Sequence, residues 1–438
     1  MTNQYEQGIM NRDTQPMIWP FAALMPTREH APHVAAPPYD VVSEAEARVF
    51  AEGNPRHFLH ISRPEIDFPL GTDPYQDKVY ARAAENLGAM IAQGVLERRE
   101  QACYYVYRLH SGDHIQVGIA GLASVQAYEE GQIRRHELTR PEKEDDRVRH
   151  MQALNAQTGP VFMVCRTSEK LTKLLTELQE APPDLDANAH DGIRHSIWVV
   201  SDPQRMDAIS GYFQEQDAIY IADGHHRSAA AVRVAHLCRE ANPNHTGREP
   251  YNAFLTVVFP DDQVRILDYN RVVRDLNGLS QADFLQRVGE RFDVRESEEP
   301  VHPSGRGEFG LYLPGKWYRI TLPAARIPSE DPVASLDVSL LTGQLLHPIL
   351  GIEDLRRDKR IDFVGGIRGL GELEDRVDKG DMAAAFSLHP TGIGELIAVA
   401  DAGLLMPPKS TWFEPKLADG VLSNGWLPGT DSNRGPSG

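Results

Sequence analysis

Residues 218–231 read AIYIADGHHRSAAA, an apolar strand that runs into Asp-Gly-His-His-Arg and then opens a helix. Gly224 lets the chain turn sharply, because glycine reaches backbone angles closed to other residues. Ser228 and the alanines after it are good helix-start and helix-body residues, so the spacing predicts a helix over Ser228–Ala241. The start of such a helix leaves unpaired N–H groups and a positive dipole end facing the loop. With His225, His226 and Arg227 at the same spot, the natural guest is an anion, phosphate above all. Asp223 is out of place in a site built only for anions. It is explained if it holds a divalent metal or takes a proton from a nucleophile. The bland alternative is a capped helix start with solvated histidines.

The flanks extend the same alternation. VFMVC (161–165) precedes a helix over Glu169–Gln179, and SIWVVS (196–201) precedes a helix to Gln214. Together with AIYIA and its helix they make a β-α-β-α run, an α/β signature. Upstream, CYYVYRLH (103–110) and QVGIAGLASVQAY (116–128) read as a hairpin across Ser111-Gly112-Asp113. Ser43 is an N-cap candidate, Tyr75–Gln93 is helical, and HFLHIS (57–62) reads as a strand. Arg63, Glu65 and Asp67 then fall just past a strand end, where Arg63 would suit a substrate carboxylate. The second half is richer in strands (AFLTVVF, QVRILDY, GEFGLYL, WYRITL), with a helix around Gln281–Phe292 and more helices from Ser335.

The expected fold class is therefore α/β to α+β. The expected divisions are a disordered N-terminus (1–16), an N-terminal α/β region (17–130), a core carrying the DGHHR box (131–245), a C-terminal α+β region (246–427) and a disordered tail (428–438). The chain of 438 residues is long enough for two or three domains.

Forty-five basic against sixty-three acidic residues give a net charge of −18, which argues against a broad nucleic-acid footprint. Cys103, Cys165 and Cys238 are far apart with no CxxC pair, which fits a reducing compartment without structural zinc. No stretch approaches the about 18 consecutive apolar residues of a membrane helix. MTNQYEQGIMNRDTQPMIWPF lacks the charged start and apolar core of a signal peptide, so the expected location is cytoplasmic.

Two further stretches carry ionisable groups. In RRHELTRP (134–141), Glu137 is crowded by Arg134, Arg135, His136 and Arg140, with Thr139 beside it. Such a carboxylate stays ionised and can serve as general base for a hydroxyl, the cations binding an anionic substrate. A surface ion cluster explains the run equally well. In the following helix Glu142, Asp145, Asp146 and Arg149 share one face, with Val148, Met151 and Leu154 opposite. MPPKSTWFEPK (406–416) contains a Lys-Ser-Thr triplet, but Pro407 and Pro408 stand where a Walker loop needs N–H donors. Lys409, Ser410 and Thr411 can still meet a phosphate as a separate triplet. GGIRGLGEL (365–373) fails the dinucleotide fingerprint, because Glu374 replaces its last glycine.

The strand-DGHHR-helix element resembles the phosphate-binding box of the ParB/sulfiredoxin superfamily. PPYDVVS, NPRHFLHISRPEID, RRHELTRPEKEDDR, IADGHHR and LHPTGIGELIAVADAGLLMPPKSTWFEPK together resemble a widespread bacterial and archaeal family known only as a domain of unknown function. Within the superfamily the chain is similar to free L-serine kinases in the DGHxR box and in a glutamate upstream of it. That resemblance implies a Mg²⁺-dependent phosphotransferase forming O-phosphoserine, a step of serine and cysteine biosynthesis. The donor it implies is ATP, ADP or inorganic pyrophosphate. Glu137 or Asp223 would be the base, and Asp223 the metal ligand. His225, His226, Arg227 and Ser228 would hold the phosphoryl group, and Lys409, Ser410 and Thr411 the donor. His136, Thr139 and Arg63 would meet the substrate. The implied partner is a small molecule, L-serine, with no membrane or nucleic acid; a homodimer is compatible. One departure is the SAAA continuation, where many relatives carry a tyrosine after the arginine. The alternative from another class is a ParB-like nucleotide- or DNA-binding regulator. A sulfiredoxin needs a cysteine beside the box, and Cys238 lies about three turns beyond it.

Overall fold

A computed structural model describes residues 16–189 and 191–426. The stretches expected to be disordered, 1–16 and 428–438, lie outside the described residues apart from Pro16. The chain forms two compact units. The first takes residues 16–134, 138–264 and 415–426; the second takes 135–137 and 265–414. Among the described residues no helix is long and apolar enough to cross a membrane.

The first unit is built on a nine-stranded mixed sheet. In chain order its strands are β1 (Ile18–Trp19), β2 (Tyr104–Ser111), β3 (His114–Ser124), β4 (Ile133–Arg134), β5 (Val161–Cys165), β6 (Leu185–Asn188), β7 (Arg194–Val200), β8 (Ile219–Asp223) and β9 (Ala253–Pro260). The spatial order is β4-β8-β5-β9-β3-β2-β7-β6, with β1 on β3. The hairpin expected across Ser111–Asp113 is β2-β3, its turn closed by Gly112 at φ +60°. β8 pairs parallel to β4 and antiparallel to β5, while β5 and β9 are parallel. β5 and β9 are buried along their whole length, which is why both read as continuous apolar runs rather than alternating ones.

The helices of this unit include α1 (Glu44–Ala51), α2 (Asp77–Ala92), α3 (Pro141–Leu154) and α6 (His225–Ala241), with α4 (Glu169–Leu178) and α5 (Pro203–Gln214) between them. Ser43 caps α1 through a reciprocal capping box with Glu46, as the sequence predicts. α6 packs on α3, and α3 on α2. Three local readings are corrected. HFLHIS is not a strand: Leu59–Ser62 is a short helix, and Phe58, Leu59, Ile61 and Ser62 are all buried, a clustering that period-two alternation cannot produce. α6 begins at His225 rather than Ser228, because Gly224 takes the cap position. In α3, Asp146 is buried along with Val148, Met151 and Leu154 rather than set opposite them, and Arg147 and His150 are buried with it.

The second unit has a six-stranded, wholly antiparallel sheet: β10 (Tyr269–Val273), β11 (Asp293–Ser297), β12 (Glu308–Leu313), β13 (Lys316–Thr321), β14 (Ile361–Gly365) and β15 (Ala384–Leu388), in the order β11-β13-β12-β15-β10-β14. Val272, Val301, Tyr312, Trp317, Val364, Leu373 and Ala385 form its core. A mixed sheet in one unit and an antiparallel one in the other give the α+β organisation expected from the sequence.

Candidate functional site

β8 delivers Asp223 to the end of a buried strand, and a register shift between Ile221 and Asp223 against β5 bends the chain there. Gly224 follows at φ +94°. A side chain at this position would be strained, and its Cβ would come within 3.1–3.3 Å of the Arg227 guanidinium. The sequence D-G-H-H-R thus folds as a strand end, a left-handed glycine and the first turn of a seventeen-residue helix.

Asp223 is held from two sides. Oδ1 accepts the Gly224 N–H at 2.8 Å, and Oδ2 accepts from Lys416 Nζ at 3.0 Å. Arg227 Nη2 stands 3.8 Å from Oδ2. Burial opposes ionisation of Asp223, but Lys416 and Arg227 outweigh it and hold its carboxyl far below the usual range. Arg227 is itself buried; Nη1 donates to the Pro160 carbonyl, and among the described residues Nε has no hydrogen-bond partner. His226 Nε2 accepts the Arg140 N–H at 3.1 Å, which places the ring proton on Nδ1. Burial and the Arg140 charge lower the pKa of His226, in keeping with a neutral ring. His225 is buried, and Ser228 Oγ donates to the His225 carbonyl at 3.0 Å, so that hydroxyl proton is spent within the turn.

Behind this turn lies a buried network of charge. Arg147 donates to Asp146 through Nε at 3.0 Å and Nη2 at 2.7 Å, and Tyr80 donates to the other Asp146 oxygen at 2.8 Å. Burial acts against Asp146 ionisation, yet Arg147 and the Tyr80 bond keep its pKa lowered. The Arg147 guanidinium stacks 3.8 Å from the Tyr39 ring centroid. His150 donates Nε2–H to the Ile61 carbonyl at 2.8 Å, and burial and Arg147 push its pKa down to about 4. Asp419 is tied to the PPYD loop by a backbone bridge to Ala36. Its Oδ1 lies where a Cβ on Gly159 would come within 2.9 Å, and burial raises its pKa to about 7 although Arg227 pulls the other way. Arg63, expected to hold a substrate carboxylate, donates through Nη1 to the Tyr39 and Val42 carbonyls and through Nε to Glu65. It orients the PPYD loop. Thr139 donates to Glu144 at the start of α3.

The other sequence-predicted residues belong to the second unit. His136 is buried and its carbonyl accepts the Met406 N–H at 2.8 Å; Glu137 is half-buried. Lys409 is exposed, Ser410 buried and Thr411 half-buried, with Ser410 Oγ donating to Pro407 at 2.7 Å. The first unit therefore collects Asp223, His225, His226, Arg227, Ser228, Thr139 and Arg63. The second holds His136, Glu137, Lys409, Ser410 and Thr411. Lys416, Asp419, Arg147 and Tyr39 were not picked out from the sequence. All but Asp419 lie within PPYDVVS, RPEKEDDR and WFEPK, stretches that carry the family resemblance. A cleft of about 590 Å³ in the first unit, lined by Arg28, Glu97, Arg98 and Arg99, includes none of the DGHHR residues.

Asp223 keeps lone pairs on both oxygens beyond those in use, so a carboxylate contact to a divalent ion fits its donor set. Held ionised by two cations, it is a weak proton acceptor and a strong fixed negative charge.

Comparison with solved structures finds several that are similar to part of this chain. A free serine kinase in complex with AMP is 14% identical, with a TM-score of 0.33, covering 67% of this chain and 86% of its own. A conserved hypothetical protein from Pyrococcus furiosus is 14% identical, with a TM-score of 0.32 over 68% and 93%. SbnI with a C-terminal truncation, from Staphylococcus aureus, is 9% identical, with a TM-score of 0.36 over 68% and 85%. No curated protein matches the sequence. Residues 18–339, well over half of the chain, match the family described as a protein of unknown function, DUF1015, and the chain belongs to that family.

Proposed function

We propose that the protein is a small-molecule phosphotransferase, a free L-serine kinase that forms O-phosphoserine. The observation that carries the reading is the Asp223–Arg227 turn. It fixes an ionised carboxylate, clamped by Lys416, at the N-terminal end of a long helix. Phosphoryl transfer asks a protein for little more than positioning and charge stabilisation, and this turn supplies both. The resemblance of the DGHHR box and upstream glutamate to free serine kinases supplies the acceptor.

In this reading Glu137 takes the serine hydroxyl proton, since the depressed pKa of Asp223 makes the aspartate the poorer base. Asp223 would hold Mg²⁺, which when bound would spread the charge of the transferred group. His225 and the N–H groups opening α6 face that phosphoryl group. His226 contributes its Nδ1–H, and Arg227 its charge. Serine would be met by His136 and Thr139. The donor is pyrophosphate, ADP or ATP; as the serine oxygen bonds to its terminal phosphorus, the bridging P–O bond breaks and phosphate, AMP or ADP departs.

Incubation of the protein with L-serine, Mg²⁺ and each donor in parallel, with mass detection of O-phosphoserine, tests the reading. Product is expected with one donor, falling by at least about 10³-fold in Asp223→Asn and about 10²–10⁴-fold in Glu137→Gln, with melting temperatures near wild type. Rates like wild type in both variants would sink the assignment.

A further inference from the structure

Arg271 is a fully buried arginine in the middle of the second unit's sheet, on β10 between Phe363 of β14 and Phe386 of β15. The described residues give it no carboxylate. Nη1 donates to the Tyr269 carbonyl, Nη2 donates to the Lys409 carbonyl at 2.9 Å, and Nε has no partner. The guanidinium lies 5.2 Å from the Phe363 ring centroid. A cation buried without a counter-charge is expensive; besides the nearby Tyr269 carbonyl, two positions away in the chain, it grips one remote peptide group, that of Lys409.

The gripped residue is unusual in turn. Lys409 has φ +60°, and the other non-glycine residues at positive φ among those described are Asn155 and Asn277. Asparagine tolerates this region; lysine does not, and a turn with Pro408 ahead of the left-handed position normally carries glycine or asparagine there. The rest of the turn is fixed as firmly. Ser410 Oγ donates to the Pro407 carbonyl at 2.7 Å, and Thr391 Oγ1 donates to the Ser410 carbonyl at 2.8 Å. The exposed Lys409 ammonium stands 5.4 Å from the Tyr269 ring centroid. Three side chains thus lock a backbone that disfavours its own residue, and what the lock displays is one cationic side chain. Backbone strain of this kind persists where surrounding structure over-determines it, commonly at ligand contacts.

We propose that Lys409 is the anion-contacting residue of a phosphate-binding subsite in the second unit, and that Arg271 is its positioning residue, holding the strained turn from within the core. Ser410, whose hydroxyl proton and carbonyl are both spent inside the fold, belongs to the lock and not to the contact. Identification of the anion as the donor's phosphate rests on the kinase reading; the subsite itself does not.

The test is calorimetric binding of pyrophosphate, ADP and ATP to the full chain in the presence of Mg²⁺, with melting temperatures measured alongside. Lys409→Gly relieves the strain and removes the charge. It is expected to raise the melting temperature by a few degrees while weakening anion affinity at least tenfold. Arg271→Met is expected to weaken the same affinity several-fold. The double variant should bind no more weakly than Lys409→Gly, because Arg271 acts through Lys409. Unchanged affinity in Lys409→Gly, additive losses in the double variant, or no binding of any of the three anions by the wild type would overturn the proposal. Lys409-dependent binding without serine phosphorylation would leave the subsite standing and remove the kinase reading. Phosphorylation with a donor KM indifferent to Lys409→Gly would do the reverse.

Discussion

Arg147 in the first unit and Arg271 in the second are both buried arginines beside an aromatic ring, but they are satisfied in opposite ways. Arg147 has a carboxylate bonded through two nitrogens, and that carboxylate has a tyrosine hydroxyl of its own. Among the described residues Arg271 donates to two carbonyl dipoles and meets no carboxylate. Burial lowers the pKa of Arg271 to about 9, while for Arg147 burial is outweighed by Tyr39 and Asp146 and the pKa is raised. A paired buried charge knits several segments together and cannot be removed without orphaning its partner. A lone one orphans no opposite charge, so its retention points to what it positions.

The comparison predicts its largest effect at Arg147. Arg147→Met leaves Asp146 buried without its cation and should cost about 3–5 kcal/mol in urea unfolding. Arg271→Met, measured the same way, should stay within about 1 kcal/mol of wild type, since no charge is abandoned. Equal losses in the two variants would erase the distinction.

Next in size is Gly420, at φ +85°, where an added Cβ would fall 2.4 Å from the Phe58 ring. Gly420→Ala should cost about 2–3 kcal/mol, combining backbone strain with overpacking, and displace the adjoining Asp419. A loss under half of that would mean the segment after Lys416 is more pliant than its contacts indicate.

The third effect depends on pH. Burial raises Asp419 to about 7 in the folded chain, above its unfolded value, so the native state holds this proton more tightly. Its contribution to stability is fully present below about pH 4 and is lost as pH rises through about 7. Asp419→Asn cannot ionise. Relative to wild type it should gain on the order of 2 kcal/mol in passing from pH 4.5 to pH 8. A difference between the two proteins that is flat with pH would show that Asp419 does not titrate in this window.

What the sequence determined by itself was local. The apolar run ending in D-G, the capping serine at 43 and the Ser-Gly-Asp hairpin turn each act through neighbours a few residues away, and each forms where the pattern puts it. Short pieces without that local insistence are settled by packing: nothing within HFLHIS separates helix from strand, and the burial of Leu59, Ile61 and Ser62 makes it a helix. Helical spacing alone puts Asp146 on one face with Glu142, Asp145 and Arg149. Only the tertiary partners Arg147 and Tyr80 make its burial tolerable. The same holds for the candidate site. Residue types in DGHHR announce an anion and a fixed carboxylate, but the clamp of Lys416, 193 positions away, is decided by the fold. Chemistry is carried by residue type, which the sequence states outright. The pKa and partner of a buried charge are set by distances to groups remote in the chain, and those exist only once the structure has formed.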